Sequence, residues 1–302
     1  MGHPAIRDRV VKRVLALLAA CLALVPAPVQ AWGYYAHRTT AEIALANIRP
    51  ETRAGIERLL KAAPALGVEG CDLASLEDAA TWPDCLRKDY WRWGYTFAWH
   101  YRTAPVCEAY DPRANCSGQN CILAQIERSQ RILADEGLPD AVRLEALAFL
   151  VHFIGDVHMP LHSGDHEDRG GNDIETAYGI APGLNLHWIW DGPLAERAIT
   201  SATVPLIRHY TAAERAELGG GTPADWGRES WETSRDFVYP NAFDRSPCEG
   251  ADLPDEAALS QEDIERAIPI SQRRITQAGI RMADYLDAAF APGALPQEKR
   301  AP

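Results

Sequence analysis

One apolar stretch of the chain carries two polar side chains on a single helix face. Residues 149–156 (FLVHFIGD) are helical in character, and His152 and Asp156 stand four residues apart within them. Both side chains therefore project from the same side of the helix. Burying an imidazole and a carboxylate is costly unless a partner satisfies them, and a divalent cation is such a partner. Pro160 ends the helix and places His162 at its rim.

A second copy of the pattern lies downstream, where His187 and Asp191 are again four residues apart between large apolar residues. For one copy alone, the simpler interpretation is a histidine hydrogen-bonded to a carboxylate one helical turn away. Two copies, together with His162, favour metal binding instead.

Residues 1–31 have the features of a secretory signal peptide. A basic start precedes an apolar run at 14–25, and a small-residue cleavage site follows at 29–31. The apolar run is too short to span a membrane. We therefore expect residues 32–302 to form a secreted or periplasmic chain without stable membrane association, with a disordered tail from about residue 291.

Lipid attachment at Cys21 is the alternative, because residues 18–21 also resemble a lipoprotein processing site. The apolar run continues past Cys21, and a small-residue site follows it, which favours cleavage after Ala31. This choice matters because it decides which residue carries the new amino terminus.

The charge of the chain excludes a basic nucleic-acid-binding surface. Residues 1–31 carry four basic residues and one acidic residue, so their removal lowers the formal net charge from -12 to -15. An anionic substrate must therefore be drawn by a local positive site, and bound metal ions would supply one.

Six cysteines remain after residues 1–31 are removed, and an even number in an exported chain predicts three disulfides. The sequence contains no Cys-x-x-Cys pair, so a thiolate zinc site is the weaker interpretation. The loop 107–121 is rich in Pro, Asn, Gly and Ser, and we expect a short bridge between Cys116 and Cys121 to close it.

Cleavage after Ala31 would make Trp32 the first residue, five positions before His37. The free amine and carbonyl of Trp32 could then chelate one metal, with His37 as a third ligand. On spacing alone, a buried aromatic residue and a surface histidine is the simpler interpretation.

Two further segments contribute candidate residues. Asp84 and Arg87 are three residues apart, a spacing that ordinarily gives a surface ion pair. In the aromatic block 90–101, His100 is the one residue of a type that commonly binds metals. The neighbouring Tyr101 offers a stacking face for a base. We expect most rings of this block to lie in the core.

Apolar periodicity predicts one mainly helical domain. The helical stretches are 40–48, 50–61, 119–134, a central helix that starts at Pro139, and about 271–290. The segment 164–184 is predicted to be an irregular wall of the site, and residues 211–226 a polar linker.

The motifs together resemble those of the zinc-dependent S1/P1 nuclease family, which comprises single-strand-specific nucleases and 3'-nucleotidases that fold like zinc phospholipase C. The resemblance spans most of the mature chain. Its anchors are the segments 32–37, 80–87, 149–162, 170–172 and 185–191. It implies an all-α domain of the phospholipase C/nuclease P1 type, with long loops around a metal cleft that holds three zinc ions.

The resemblance implies three sets of zinc ligands. The first set is Asp84, His100, His152 and Asp156. The second is His37 with the amine and carbonyl of Trp32, and Asp156 bridges the first two sets. The third is His162, His187 and Asp191.

The resemblance also implies catalytic and substrate-binding roles. Asp84 and Asp156 would carry the catalytic metals for an in-line attack on phosphorus, and Arg87 would neutralise developing charge. Tyr101 occupies the position of a base-stacking ring, and Asn172 that of a base contact. Stacking tolerates any base but requires an unpaired one, which accounts for a single-strand preference.

One residue departs from the family pattern. Thr103 stands where the family often has an acidic residue of the base pocket, so the resemblance implies no particular base preference. The cysteine positions agree with the family and imply the bridges Cys107–Cys248 and Cys116–Cys121, which leaves Cys71 with Cys85.

The expected substrates are single-stranded nucleic acid and 3'-nucleotides, and the expected state is a monomer. Two other interpretations remain open from the sequence. A zinc phospholipase C uses the same metal ligands, although the Tyr101 and Asn172 matches favour nucleotides. A non-catalytic secreted zinc-binding protein would hold zinc without cleaving phosphodiesters.

Overall fold

The computed structural model describes residues 32–250 and 252–293. The predicted signal peptide at 1–31 and the tail from residue 294 onward lie outside the described residues. Within the described ranges, none of the helices combines the length and the apolar character needed to traverse a lipid bilayer.

Helices dominate the described chain, and this confirms the predicted mainly helical fold. The α-helices within these ranges are α1 (Tyr34–Asn47), α2 (Pro50–Leu60), α3 (Leu76–Cys85), α4 (Tyr90–Trp93), α5 (Ile122–Ala134), α6 (Asp140–His158), α7 (Leu186–Asp191), α8 (Pro193–Thr200), α9 (Ala212–Leu218), α10 (Pro223–Thr233), α11 (Tyr239–Phe243) and α12 (Gln261–Ala289). Short 3-10 turns at Leu86–Lys88, Gly94–His100 and Pro160–His162 connect several of them.

Two small sheets border the helices. Strand β1 (Ala104–Pro105) pairs in parallel with β2 (Gly164–Asp165). Strand β3 (Glu175–Tyr178) pairs antiparallel with β4 (Ala181–Asn185) and in parallel with β5 (Glu256–Leu259). The prediction that 164–184 is irregular throughout was therefore wrong.

Helix α6 lies at the centre of the fold and packs against α3, α5 and α12. Every residue from Ala146 to His158 is buried, as expected of a helix that is apolar on all sides. The helix ends at His158 because the residue before Pro160 disfavours helical backbone angles. His162 follows in a 3-10 turn and is fully buried, so the expectation that it stands at a rim was wrong.

Local capping explains two further differences from the predicted helices. Residues 211–226 are not a linker, because capping boxes at Thr211 and Thr222 begin α9 and α10. Helix α12 begins ten residues earlier than predicted, after a capping box at Ser260, and it continues through Pro269.

The aromatic block is only partly in the core. Trp93 is 3% exposed, whereas Tyr90, Trp91 and Tyr95 are 65%, 97% and 60% exposed. The expectation that most of these rings are buried was therefore wrong for three of them. The polar neighbours in 87–92 gave no periodic signal to separate the buried ring from the exposed ones.

Three disulfides cross-link the described chain. They join Cys71 with Cys85, Cys107 with Cys248, and Cys116 with Cys121. This is the pairing that the family resemblance implies. The bridge between Cys107 and Cys248 fixes the segment after β1 to the segment before β5, which would otherwise be free to move apart.

Candidate metal centre

Side chains from widely separated segments converge beside α6. Three groups of ligand atoms form, and within each group all atoms lie within 4.8 Å of one another. The groups are His37, His152 and Asp156; Asp84, His100 and His152; and His162, His187 and Asp191. All of these residues are buried except Asp84, which is partly exposed.

The two carboxylate oxygens of Asp156 face different partners. Oδ2 lies 3.0 Å from both His100 Nδ1 and His152 Nε2, and Oδ1 lies 3.1 Å from His37 Nε2. Asp84 Oδ1 lies 3.9 Å from His100 Nδ1 and 3.8 Å from His152 Nε2. Ligands bound tetrahedrally to one zinc are about 3.3 Å apart, so these separations suit a pair of metals that share Asp156.

The third group lies next to the first two, because His162 Nδ1 is 3.7 Å from Asp156 Oδ1. Asp191 Oδ1 is 3.6 Å from His162 Nε2, and Asp191 Oδ2 is 3.1 Å from His187 Nε2. The two imidazole rings are stacked with their centroids 5.0 Å apart. This group therefore offers a second centre built from two nitrogens and a carboxylate.

Backbone carbonyls fix three of the imidazole rings. The Nδ1–H groups of His152, His162 and His187 donate to Ala80 O at 2.7 Å, His100 O at 3.0 Å and Gly170 O at 2.8 Å. Such bonds set the tautomer and leave Nε2 as the free ligand atom. All three Nε2 atoms accordingly point into the cluster.

Several buried polar atoms of the cluster have no hydrogen-bond partner among the described residues. They are both ring nitrogens of His37, Nε2 of His100, His162 and His187, and the oxygens Asp84 Oδ1, Asp156 Oδ1, Asp191 Oδ1 and Asp191 Oδ2. Leaving so many buried polar atoms unsatisfied is costly. Divalent cations coordinated by these nitrogens and oxygens would satisfy most of them, so the residues present fit a metal centre.

Burial and charge shift the pKa values of the cluster in opposite directions. Burial lowers the pKa of His100 to about 4. Burial also disfavours charge on His162, but Asp156 and Asp191 outweigh it and raise the pKa of His162 to about 8. The pKa of Asp156 lies well below its ordinary value, because the charges of His152 and His162 outweigh the effect of burial.

The segment around Trp32 reaches the cluster. Trp32 is 2% exposed, and its ring lies 6.5 Å from the ring of His37. The N–H of the next residue, Gly33, donates to Asp191 O at 2.7 Å. The backbone of Trp32 is therefore held beside both His37 and α7, and the ligand role of its amine stays a prediction.

Gly155 is a residue of the site that was not predicted from the sequence. A Cβ atom at this position would lie 2.7 Å from His37 Nδ1, closer than real Cβ contacts allow. The missing side chain lets α1 bring His37 against α6, where its ring stacks on His152 at 4.1 Å. Its place directly before Asp156 was the one available signal.

A loop held by two aspartates supports His187, and it was also missed. Asp165 Oδ1 accepts from Gly170 N at 2.7 Å, and Asp168 Oδ1 accepts from Gly171 N at 2.8 Å. Both glycines have positive φ angles, and a Cβ at Gly170 would lie 2.3 Å from a backbone oxygen. Aspartates that precede a Gly-Gly pair are a turn signal that could have indicated this role.

The predicted catalytic and substrate-binding residues border the cluster. Arg87 Nε lies 3.4 Å from Asp84 Oδ1, and an Nη–H of Arg87 donates to the Tyr101 hydroxyl at 3.2 Å. The Tyr101 ring is 5.2 Å from that of His162. The pKa of Arg87 is raised, because Asp84 and Tyr101 outweigh the effect of burial.

Asn172 follows the loop that holds His187. Its Nδ2 donates to Arg169 O at 2.8 Å. Its Oδ1 is buried and has no hydrogen-bond partner among the described residues. The base-contacting role predicted for Asn172 is untested by these contacts.

Comparison with known proteins agrees with this geometry. The profile of the S1/P1 Nuclease family matches residues 32–291. Endonuclease 4 of Arabidopsis thaliana is 31% identical over 287 residues, which cover 86% of this chain and 89% of that protein. Endonuclease 5 of the same organism is 29% identical over 288 residues, covering 86% and 90%. Nuclease S1 of Aspergillus oryzae is 28% identical over 294 residues, covering 91% and 97%. The chain therefore belongs to the S1/P1 nuclease family and is a hydrolase that acts on phosphoester bonds.

Proposed function

We propose that this chain is an exported, zinc-dependent nuclease that acts as a monomer. It cleaves single-stranded DNA and RNA to 5'-phosphorylated products and removes 3'-phosphates from nucleotides. Residues 1–31 direct export, and residues 32–302 form the nuclease domain. The observation that carries the proposal is the position of Asp156 between two groups of histidines, at 3.0 Å from one group and 3.1 Å from the other.

Each zinc ion would have its own set of residues in this proposal. Asp84, His100 and His152 would hold one, His37 and the amine and carbonyl of Trp32 would hold a second, and Asp156 would be a ligand common to both. His162, His187 and Asp191 would hold the third. Bound zinc supplies a water of lowered pKa and withdraws charge from the phosphate oxygens. The three ions also give a strongly acidic chain a local positive site for a polyanion.

The chain's own residues bind and orient the substrate. Arg87 presents its guanidinium beside Asp84 and Tyr101, where it binds a phosphate oxygen and neutralises charge that develops during in-line displacement. The Tyr101 ring is a stacking face next to His162. A duplex base cannot reach such a ring without leaving its stack, so single strands are preferred.

The names of the relatives support this assignment. Two are named Endonuclease 4 and Endonuclease 5, and a third is named Nuclease S1. We extend their nucleic-acid chemistry to this chain because its cleft carries the residues that the proposal requires.

A side-by-side assay tests the proposed function. The zinc-loaded chain is given single-stranded DNA, duplex DNA, RNA, a 3'-nucleotide and phosphatidylcholine, and zinc content is measured on the same sample. We expect cleavage of the single strands and the 3'-nucleotide. Turnover of the lipid alone would identify a phospholipase C, and zinc without any cleavage would identify a non-catalytic zinc-binding protein.

A further inference from the structure

Three exposed aromatic side chains lie within six consecutive residues, 90–95. Tyr90, Trp91 and Tyr95 are 65%, 97% and 60% exposed. Clusters of exposed aromatic side chains in soluble proteins mark interaction surfaces more often than isolated ones do. We call these three residues, together with Lys88 and Arg92, the aromatic strip.

The aromatic strip is held in place by the core beneath it. Trp93 is buried, and its ring lies 5.6 Å from Trp82 and 6.2 Å from Phe149. The Tyr95 ring contacts Trp99 edge-on at 5.2 Å. Because Trp93 and Trp99 anchor this segment, its exposed rings are presented by a fixed backbone, which lowers the entropic cost of binding.

A chain of contacts connects the aromatic strip to the metal centre. The Tyr90 ring lies 5.5 Å from the Phe97 ring, and the Arg87 guanidinium lies 5.6 Å from the Phe97 centroid. Arg87 in turn donates to the Tyr101 hydroxyl. Through Tyr90, the strip is therefore connected to Arg87 and Tyr101.

The charge of the strip differs from that of the whole chain. Residues 87–95 contain three basic residues and one acidic residue, in a chain of formal net charge -12. Lys88 Nζ donates to Gly70 O at 3.3 Å, and Arg92 donates to Leu66 O at 3.0 Å. These hydrogen bonds end on neutral carbonyls, and Arg92 also interacts electrostatically with the Glu145 carboxylate. The segment nevertheless keeps a net positive charge in an acidic chain.

We propose that the aromatic strip binds nucleotides of a single-stranded substrate beyond the one held at the metal centre. This proposal rests on the proposed function. Unpaired bases stack on the faces of Trp91 and Tyr90, and Lys88 and Arg92 lie where they attract the phosphates between those bases. The strip gives long single strands an advantage over dinucleotides.

Aromatic and basic side chains also suit a membrane surface. One observation favours the nucleic acid. The strip is connected, through Tyr90 and Phe97, to the Arg87 and Tyr101 of the proposed nuclease site. A lipid partner is therefore treated as an outcome of the experiment.

The experiment compares KM for a single strand of about 20 nucleotides with KM for a dinucleotide. The variants are Trp91→Ala, Trp91→Phe and, as an exposed apolar control elsewhere, Val204→Ala. We expect Trp91→Ala to reduce the advantage of the long strand about tenfold, which corresponds to one lost stacking contact. Trp91→Phe keeps an aromatic face and restores most of the advantage.

The outcomes separate this proposal from the proposed function. An unchanged length advantage in Trp91→Ala would overturn the role of the strip while nuclease activity stands. If the wild-type chain cleaves no nucleic acid, binding of the same oligonucleotide is measured by tryptophan fluorescence. Equal affinity of the wild type and Trp91→Ala for it would overturn the binding role of the strip. If Trp91→Ala loses binding to phosphatidylglycerol vesicles but keeps the advantage of the long strand, the aromatic strip is a lipid-binding surface instead.

Discussion

Asp156 Oδ1 lies 3.1 Å from His37 Nε2, yet the two buried atoms form no hydrogen bond. A carboxylate and an imidazole placed this close ordinarily share a proton along the line between them. Ligands of a common cation approach each other in the same way, with both lone pairs directed at the ion. The geometry of the pair therefore fits the proposal that both side chains are ligands of one metal.

Replacing Asp156 with Asn should affect two metals at once. The amide removes the charge that the two histidine groups share, so we expect loss of about two zinc ions per chain and of activity. Elemental analysis of the purified variant measures this. Asp191→Asn is the matched control and should affect one ion. Loss of a single zinc from Asp156→Asn would argue against a shared carboxylate.

Replacing Gly155 with Ala should displace His37. The new Cβ would lie 2.7 Å from His37 Nδ1, so the ring must move, and we expect about a 10- to 100-fold loss of affinity at the second metal. Zinc titration with a chelator measures it. Ala148→Gly lowers the helix propensity of α6 without adding an atom near the metal ligands, so this control variant should retain all of its zinc. Full zinc affinity in Gly155→Ala would show that His37 is not a ligand.

A chain that retains Ala31 should lose the amine ligand of Trp32. A peptide nitrogen in place of the free amine is a poor donor to a metal, so we expect about one zinc fewer per chain and much lower activity. Mass spectrometry of the amino terminus, combined with zinc analysis, compares the extended and trimmed forms. Equal zinc content and activity in the two forms would contradict the chelate.

Glu229 should stabilise the fold in a pH-dependent manner. Its carboxylate binds Arg274 at 2.8 Å and Arg281 at 2.6 Å, and Arg274 Nε also donates to His158 O at the end of α6. Burial raises the pKa of Glu229, but the two arginines outweigh it and lower the pKa below 4.5. Its contribution to the free energy of unfolding is therefore present above pH 4.5, and it is lost as the pH falls through the folded-state pKa.

Urea unfolding of Glu229→Gln measures that contribution. We expect a loss of about 2 kcal/mol at pH 7, smaller than for a fully buried pair because the side chain is partly exposed. The difference from wild type should shrink below pH 4.5. Glu232→Gln, an exposed position on α10, is the control. A difference that stays constant with pH would exclude the ion pairs as its cause.

The sequence predicted the relations between residues of one helix better than the contacts between different helices. His152 with Asp156, and His187 with Asp191, were found because a spacing of four residues fixes their relation on one helix. The proximity of Asp84 and His100 to α6 came from the family resemblance alone. Local spacing carries no information about which segments meet in the tertiary fold.

Residues whose role depends on a neighbouring segment were missed. Gly155 matters because α1 approaches it, and Asp165 and Asp168 matter because they support the carbonyl that binds His187. The exposure of Trp91 likewise follows from where the core ends. Each of these depends on packing between elements distant in sequence.

Anomalous diffraction at the zinc absorption edge, from crystals grown with zinc, locates the metal ions relative to Asp156. We predict three peaks beside α6, two of them within bonding distance of the two oxygens of Asp156 and the third between His162, His187 and Asp191. A single peak, or peaks that do not contact Asp156, would contradict the shared metal centre.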